Sequence, residues 1–388
     1  MKKEYRLFSL SYKNIEIYYK NNGGQKFVQQ LFLDKSNLLR KLSTIISPTL
    51  LYYTYLFLEP LASFLLIIPQ FFRALSLVRT SQHVEVGQIN RLFLNFAHLL
   101  ISRIKAAEIF ESSTYWLEKP FKDVSCKGLE DKVLLTVFEV LTISDVFYAL
   151  KSSILATLYV AIHNPYHYVR NSSTSFEFYL TFKAIQRFPH QAELIFGNHI
   201  DRWAILFDSC PQQEKTLIMH GIETKKADWP VKLKTVTKVY AFNEELGKDL
   251  KKALLSCNPV FCYMKPTINL VDDVDDHNFK VLIVCHPASM RDREKYLISH
   301  LQLDNITVYA KTHYTTPDVS FYEDLTKKYN FRLITYQLFP KVNILISYRS
   351  TLVSEYEICG IPTLMYYDYT LEELVEQIKQ KASEYCHS

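Results

Sequence analysis

The chain has 388 residues, enough for two or three domains with a sizeable core. Its 45 Lys plus Arg against 40 Asp plus Glu leave a formal charge of +5, a surplus that suits a nucleotide-sugar or an anionic membrane surface and is too small to argue for nucleic-acid binding. Only 8 glycines stand beside 27 Tyr and 25 Phe, and neither GxGxxG nor a P-loop occurs, so any phosphate site must use helix ends, hydroxyls and cations.

Residues 1–30 read as a small strand-and-turn opening, with Asn21-Asn22-Gly23-Gly24 as its hairpin signal. Residues 31–160 are mainly helical by spacing, and 133–141 fits a helix or a buried strand equally. Within this region residues 42–78 are apolar and aromatic, but Glu59-Pro60 splits the run and Pro48 and Pro69 bracket the pieces. Each piece is short of the roughly 20 residues a spanning helix needs. Arg40, Lys41, Arg73 and Arg79 flank the whole, which suits a hairpin or helix pair lying in the membrane interface. A buried helical layer of the N-terminal region fits equally well, and a transmembrane anchor comes third.

Residues 151–262 carry βαβ patterning. Strands are predicted at 193–197 and 216–219, with a helix at 202–209 between them, then a strand at 238–242 and a helix at 244–255. The second strand ends in His220-Gly221, before the basic Lys225-Lys226. Asp272, Asp273, Asp275 and Asp276 lie in a surface linker; their spacing fits no calcium loop. A second Rossmann-like half, 263–388, opens with a strand at 280–285 and a helix at 292–301. It continues with strands at 306–310 and 344–346, a helix running to Cys359 that Gly360 and Pro362 close, a strand at 363–366 and a final helix at 371–385.

The strand ends carry the chemistry. Strand 344–346 stops at Ser347-Tyr348-Arg349-Ser350-Thr351, where Ser350 and Thr351 fit both plain helix capping and phosphate ligation at a helix N-terminus. Strand 306–310 runs into Lys311-Thr312-His313, and a Lys and a His two residues apart project to one side of an extended chain. His286-Pro287-Ala288-Ser289 leaves strand 280–285 at the carboxyl edge of a parallel sheet, where ligands bind, so His286 and Ser289 are further candidates for the donor's phosphate.

Lys311-Thr-His313, followed by Ser350-Thr351 and Glu355, resembles the paired Lys-x-His-Pro and Ser-Ser motifs of bacterial capsule and lipooligosaccharide glycosyltransferases, several of which use CMP-activated sialic acid. It departs from them at Tyr314, where the family usually has Pro, and at Thr351, where it usually has Ser. The segment from Lys215 to Lys226 is similar to the His-Gly loop of teichoic-acid CDP-glycerol phosphotransferases. The resemblance covers roughly residues 150–370 and implies an α/β fold of GT-B type, two Rossmann-like domains facing a cleft, preceded by a mostly helical N-terminal region. The implied domains are 1–150, open to membrane association; 151–262, holding the acceptor; and 263–388, holding the nucleotide-sugar.

The resemblance implies a transferase acting on a nucleotide-sugar, with a CMP-linked donor first, and a glycan or glycolipid acceptor. Lys311 and His313 would stabilise the leaving phosphate, Ser350 and Thr351 would hydrogen-bond it, and Glu355 would meet the ribose or base. His220, with Asp201 or His199 from Asn198-His-Ile-Asp-Arg202, would be the general base. No Asp-x-Asp motif sits on a strand end, so no metal and no further cofactor are expected. A CDP-polyol phosphotransferase and a non-catalytic glycan-binding or assembly protein are the competing readings. The seven scattered cysteines, with no CxxC pair, and the polar Met1-Lys-Lys opening, without a signal peptide, point to a cytoplasmic protein peripheral to the inner membrane.

Overall fold

A computed structural model describes residues 4–10, 13–14, 41–42, 45–95, 103–104, 107–109, 115–121, 133–163, 174–197, 202–219, 229–272, 277–285, 291–312, 319–334, 338–348 and 350–386. The predicted hairpin at 21–24 and the acidic residues at 273–276 lie outside them. The chain divides into two units, Met1–Met264 and Lys265–Ser388.

Unit 1 opens with a short helical segment at 5–10, where a strand-and-turn opening was expected, followed by helix α1 (Pro48–Thr80) and strands β1 (Arg91–Asn95), β2 (Tyr115–Glu118) and β3 (Val133–Leu135). After a short 3₁₀ turn come helices α2 (Ile143–His163) and α3 (Ser175–Ile185), strand β4 (Glu193–Phe196), helix α4 (Arg202–Ser209), strands β5 (Lys215–Ile218) and β6 (Lys238–Ala241), helix α5 (Glu244–Leu254) and strand β7 (Val260–Tyr263). All seven strands pair in parallel in the order β3-β2-β1-β4-β5-β6-β7.

Three further expectations for this unit are corrected. The pieces split at Glu59-Pro60 are one helix of 33 residues, with Pro48 in its first turn and Pro60 and Pro69 inside it. Each interior proline costs about 3 kcal/mol, and the packed stripe of Tyr52, Ile67, Phe71, Ala74 and Val78 offsets that cost. The mostly helical reading of residues 1–150 misses β1 and β2, which are recognisable by their partners, while β3 takes the strand alternative within 133–141. Residues 260–263, where no strand is predicted, form the edge strand β7.

Unit 2 holds strand β8 (Phe279–Val284), helix α6 (Arg291–His300), strand β9 (Ile306–Lys311), helix α7 (Ser320–Thr326), strands β10 (Arg332–Ile334) and β11 (Ile344–Ser347), helix α8 (Thr351–Ile358), strand β12 (Thr363–Met365) and helix α9 (Leu371–Cys386). Its parallel sheet runs β10-β9-β8-β11-β12. β8 is buried at every position, as a central strand covered on both faces must be. Val281, Ile283, Val308, Ile344 and Ile346 share one face with Leu297 of α6, Tyr322 of α7 and Leu374 of α9. The other face carries Leu282, Val284, Lys311, Leu345 and Ser347, by the two-residue alternation of a strand.

Candidate functional site

In unit 2 the chain leaves β8 for β9 and β10 on one side, then crosses to β11 and β12 on the other. The strand order therefore reverses between β8 and β11, and the crevice outside the carboxyl ends of these strands is where an open parallel sheet binds its ligand. Unit 1 repeats the arrangement, with its reversal between β1 and β4.

The candidates distribute around these two points. Ile346 pairs with Ile283 and Lys311 with Val284, so Lys311 and Ser347 lie at nearly the same level on either side of β8. Two strand spacings put their backbones about 10 Å apart on one face of the sheet. Ser350 follows as the N-cap of α8, with extended φ −144° and ψ 157°. Its hydroxyl makes no capping hydrogen bond and lies 3.4 Å from that of Ser347. Thr351 is the first residue of α8. Two side-chain oxygens and the positive end of a helix thus gather beside the reversal.

Lys311 is nearly buried. Its ammonium donates to the Leu338 carbonyl at 2.8 Å and stands 4.4 Å from the centre of the Phe339 ring. Burial pulls its pKa down to about 8 from the usual 10.5. Glu355 is also buried. Its carboxylate accepts from the Thr267 N–H at 2.7 Å and from the Thr267 hydroxyl at 2.5 Å, fastening the start of unit 2 to α8. A ribose or base could reach that carboxylate only in competition with Thr267. His286, Ser289 and His313 lie outside the described residues, as do His199, Asp201 and His220 of unit 1. In the chain His286 follows Cys285 at the end of β8, and His199 and Asp201 follow Gly197 at the end of β4, the two strands that border the reversals.

A cluster beneath the β8 and β11 ends escapes sequence reasoning. Glu294 of α6 is fully buried and accepts a hydrogen bond from the Tyr322 hydroxyl. Tyr348, directly after β11, stacks on Tyr366 with ring centroids 4.2 Å apart. Burial first, and the nearby Glu294 second, push the Cys285 thiol and the Tyr348 hydroxyl well above their usual ranges. The Cys285 thiol and the Tyr348 hydroxyl therefore stay neutral at the carboxyl ends of β8 and β11. Glu294 lies among charged neighbours in Arg291-Asp-Arg-Glu-Lys295, so nothing in the sequence singles it out.

Lys215 of β5, in the stretch likened to a His-Gly loop, has a structural role. Its ammonium donates to the carbonyls of Asp208 at 2.8 Å and Cys210 at 2.7 Å and to the Thr235 hydroxyl at 2.6 Å.

No known protein family matches this sequence, and no curated protein matches it. Among solved structures the chain is similar to Alr3699/HepE of Anabaena in complex with UDP-glucose, at 8% identity over 71% of this chain and 79% of that one, with a TM-score of 0.40. It is similar to a mutant O-GlcNAc transferase of Thermobaculum terrenum at 10% identity over 73% of this chain and 54% of that one, with a TM-score of 0.34. The GtfA/B complex matches at 11% identity over 49% of this chain and 45% of that one, with a TM-score of 0.32. Likeness of this degree assigns the chain to no family and to no ligand.

Proposed function

We propose that the chain is a glycosyltransferase that moves a sugar from a nucleotide-activated donor to a bacterial surface glycan or glycolipid without a metal ion. The observation that carries the reading is the gathering of Lys311, Ser347, Ser350 and the first turn of α8 around the carboxyl end of β8, where the strand order of unit 2 reverses. Departure of a nucleoside phosphate builds negative charge on its oxygens, and helix N–H groups, hydroxyls and a lysine are the groups that stabilise such charge. Lys311 and His313 would hold the departing phosphate, with Ser350 and Thr351 donating to it. His286 and Ser289 would complete the phosphate contacts. His220, oriented by Asp201 or His199, would take the acceptor's proton.

A CMP-linked sugar such as sialic acid is the preferred donor, on the motif resemblance alone. The His220-Gly221 loop after β5 favours a second reading, transfer of a polyol phosphate from a CDP donor, which also ends in CMP. A thermal-shift panel of CMP, CDP, UDP and GDP tests the donor site, because a ligand bound only by the folded state raises stability as ln(1 + [L]/Kd). A selective rise with CMP and CDP is expected. No rise with any of the four would remove the donor site and with it the transferase reading.

A further inference from the structure

Helix α1 is apolar on every side, yet only one stripe of it is covered. Glu59, Ser63, Ile67, Phe71 and Val78 face inward. Leu50, Phe57, Leu61, Leu65, Leu66 and Phe72 face outward, Phe57 at 80% and Leu65 at 62% of full exposure. Helix α2 buries Val146, Ala149, Ala156 and Val160 together with three hydroxyls. Its inner face carries Ser152, Ser153 and Thr157, with the Ser153 and Thr157 hydroxyls meeting that of Ser175 on α3. Its outer face carries Phe147, Leu155, Leu158 and Ile162, the last 75% exposed. The two helices pack on each other, with Phe71 and Phe147 edge to face at 5.2 Å. A soluble helix keeps its large apolar residues to its inner face; α1 and α2 carry them on their outer faces as well.

The charges are sorted as well. The exposed Arg and Lys side chains of the two helices are Arg73, Arg79 and Lys151. Both acidic residues are turned inward. Glu59 accepts from the Ser63 hydroxyl at 3.1 Å. Asp145 is held by Arg187 at 2.6 Å and by the Thr142 hydroxyl at 2.7 Å.

We infer that the outer faces of α1 and α2 seat on an anionic lipid bilayer, with the apolar side chains entering the acyl boundary and Arg73, Arg79 and Lys151 meeting headgroup phosphates. Phe57–Thr80 and Ile143–His163, at 24 and 21 residues, are long enough to span. Their inner stripes, however, are committed along the whole length of the helices, and both helices pack on α3, buried throughout except at Lys183. That geometry lays the pair in the membrane plane. A second copy of the chain would bring a like-charged rim against this face, whereas an anionic surface complements it.

The test is co-sedimentation of the purified full chain with vesicles of phosphatidylcholine alone and of phosphatidylcholine with phosphatidylglycerol, beside size exclusion without lipid. A monomer that sediments preferentially with the anionic vesicles and is released by a carbonate wash is expected. The triple variant Leu61→Glu, Leu65→Glu, Leu158→Glu alters exposed positions only; it should keep the wild-type circular dichroism and need at least about tenfold more lipid. Arg73→Gln, Arg79→Gln and Lys151→Gln should each raise the anionic lipid required about fivefold and leave binding to neutral vesicles unchanged. A wild-type chain that ignores vesicles, or a folded triple variant that binds them equally well, overturns the inference. So does a stable dimer that the triple variant dissociates, which would assign the face to a second copy. Resistance to carbonate would replace seating by spanning and overturns it too.

Discussion

Lys311 is the residue whose chemistry is most constrained by its surroundings. Burial lowers its pKa to about 8, so the free protein carries the ammonium at pH 7 and loses it within the range of ordinary assays. For folding, the depressed value means that the buried ammonium is a penalty below about 8, relieved as pH rises toward the unfolded value of 10.5. For an anionic ligand the sign is the reverse. Affinity for CMP should be nearly flat from pH 7 to about 8 and then fall by about tenfold per pH unit, because the phosphate, with a second pKa near 6, is almost fully ionised by pH 7. Lys311→Arg should remove that fall, since a guanidinium stays charged throughout. Calorimetric titrations across this range decide it: a flat wild-type profile would detach Lys311 from the phosphate. The two histidines should separate by role. His313→Ala is expected to weaken nucleotide binding and to lower turnover about a hundred- to a thousandfold, as loss of one donor to a developing charge does. His220→Ala should lower turnover by about a hundred- to ten-thousandfold while nucleotide affinity stays near wild type. If both variants turn over a defined donor at the wild-type rate, the chemistry lies elsewhere in the chain.

Helix α8 shows how an element can serve a site and its own unit at once. Its first turn is left without a side-chain cap at Ser350, whereas α5 opens on Asn243, whose side chain accepts from the Leu246 N–H at 2.8 Å. The missing cap leaves N–H groups of α8 for a ligand. One turn on, Glu355 spends its carboxylate on Thr267. Glu355→Ala would remove the charged acceptor of two hydrogen bonds from the half-buried Thr267 and should destabilise unit 2 by about 2 kcal/mol. Faster amide exchange across β8, β11 and α8 would report it, and unchanged exchange there would refute the fastening role. The β11–α8–β12 segment was legible in the sequence because an apolar run, a hydroxyl turn, Gly360 and Pro362 mark every boundary; Gly360 takes φ +79°, the left-handed turn that ends the helix. Strands β1 and β2 were not legible, since no glycine or proline closes them and their identity rests on partners far along the chain, and β3 was legible only as one of two alternatives. The unbroken course of α1 through Pro60 and Pro69 is likewise a tertiary outcome, in which packing along one stripe overrides the local penalty. The reversal points of the two sheets also follow from strand order, so the residues that flank them could be named from their strand-end positions but not ranked.

At the scale of the whole chain, the donor and acceptor roles are assigned to different units, and this division can be measured. Every residue given to the nucleotide phosphate (Lys311, His313, Ser350, Thr351, His286 and Ser289) belongs to unit 2, Lys265–Ser388, whose sheet and core are built from its own strands and helices. The chain has 3 Trp, and all of them, Trp116, Trp203 and Trp229, lie in unit 1, where they are buried. Tryptophan fluorescence therefore follows unit 1, while exchange of amides in β8 and β11 follows unit 2. A ligand stabilises the unit that binds it, by about 2.7 kcal/mol at a hundred times its Kd. Under increasing denaturant, saturating CMP should protect the amides of unit 2 and shift their opening to higher denaturant, with the tryptophan transition left in place. Ser350→Ala should weaken that protection, because it removes a hydroxyl from the phosphate without touching the core. A shift of the tryptophan transition with no change in unit 2 would move the nucleotide to unit 1 and invert the assignment of donor and acceptor.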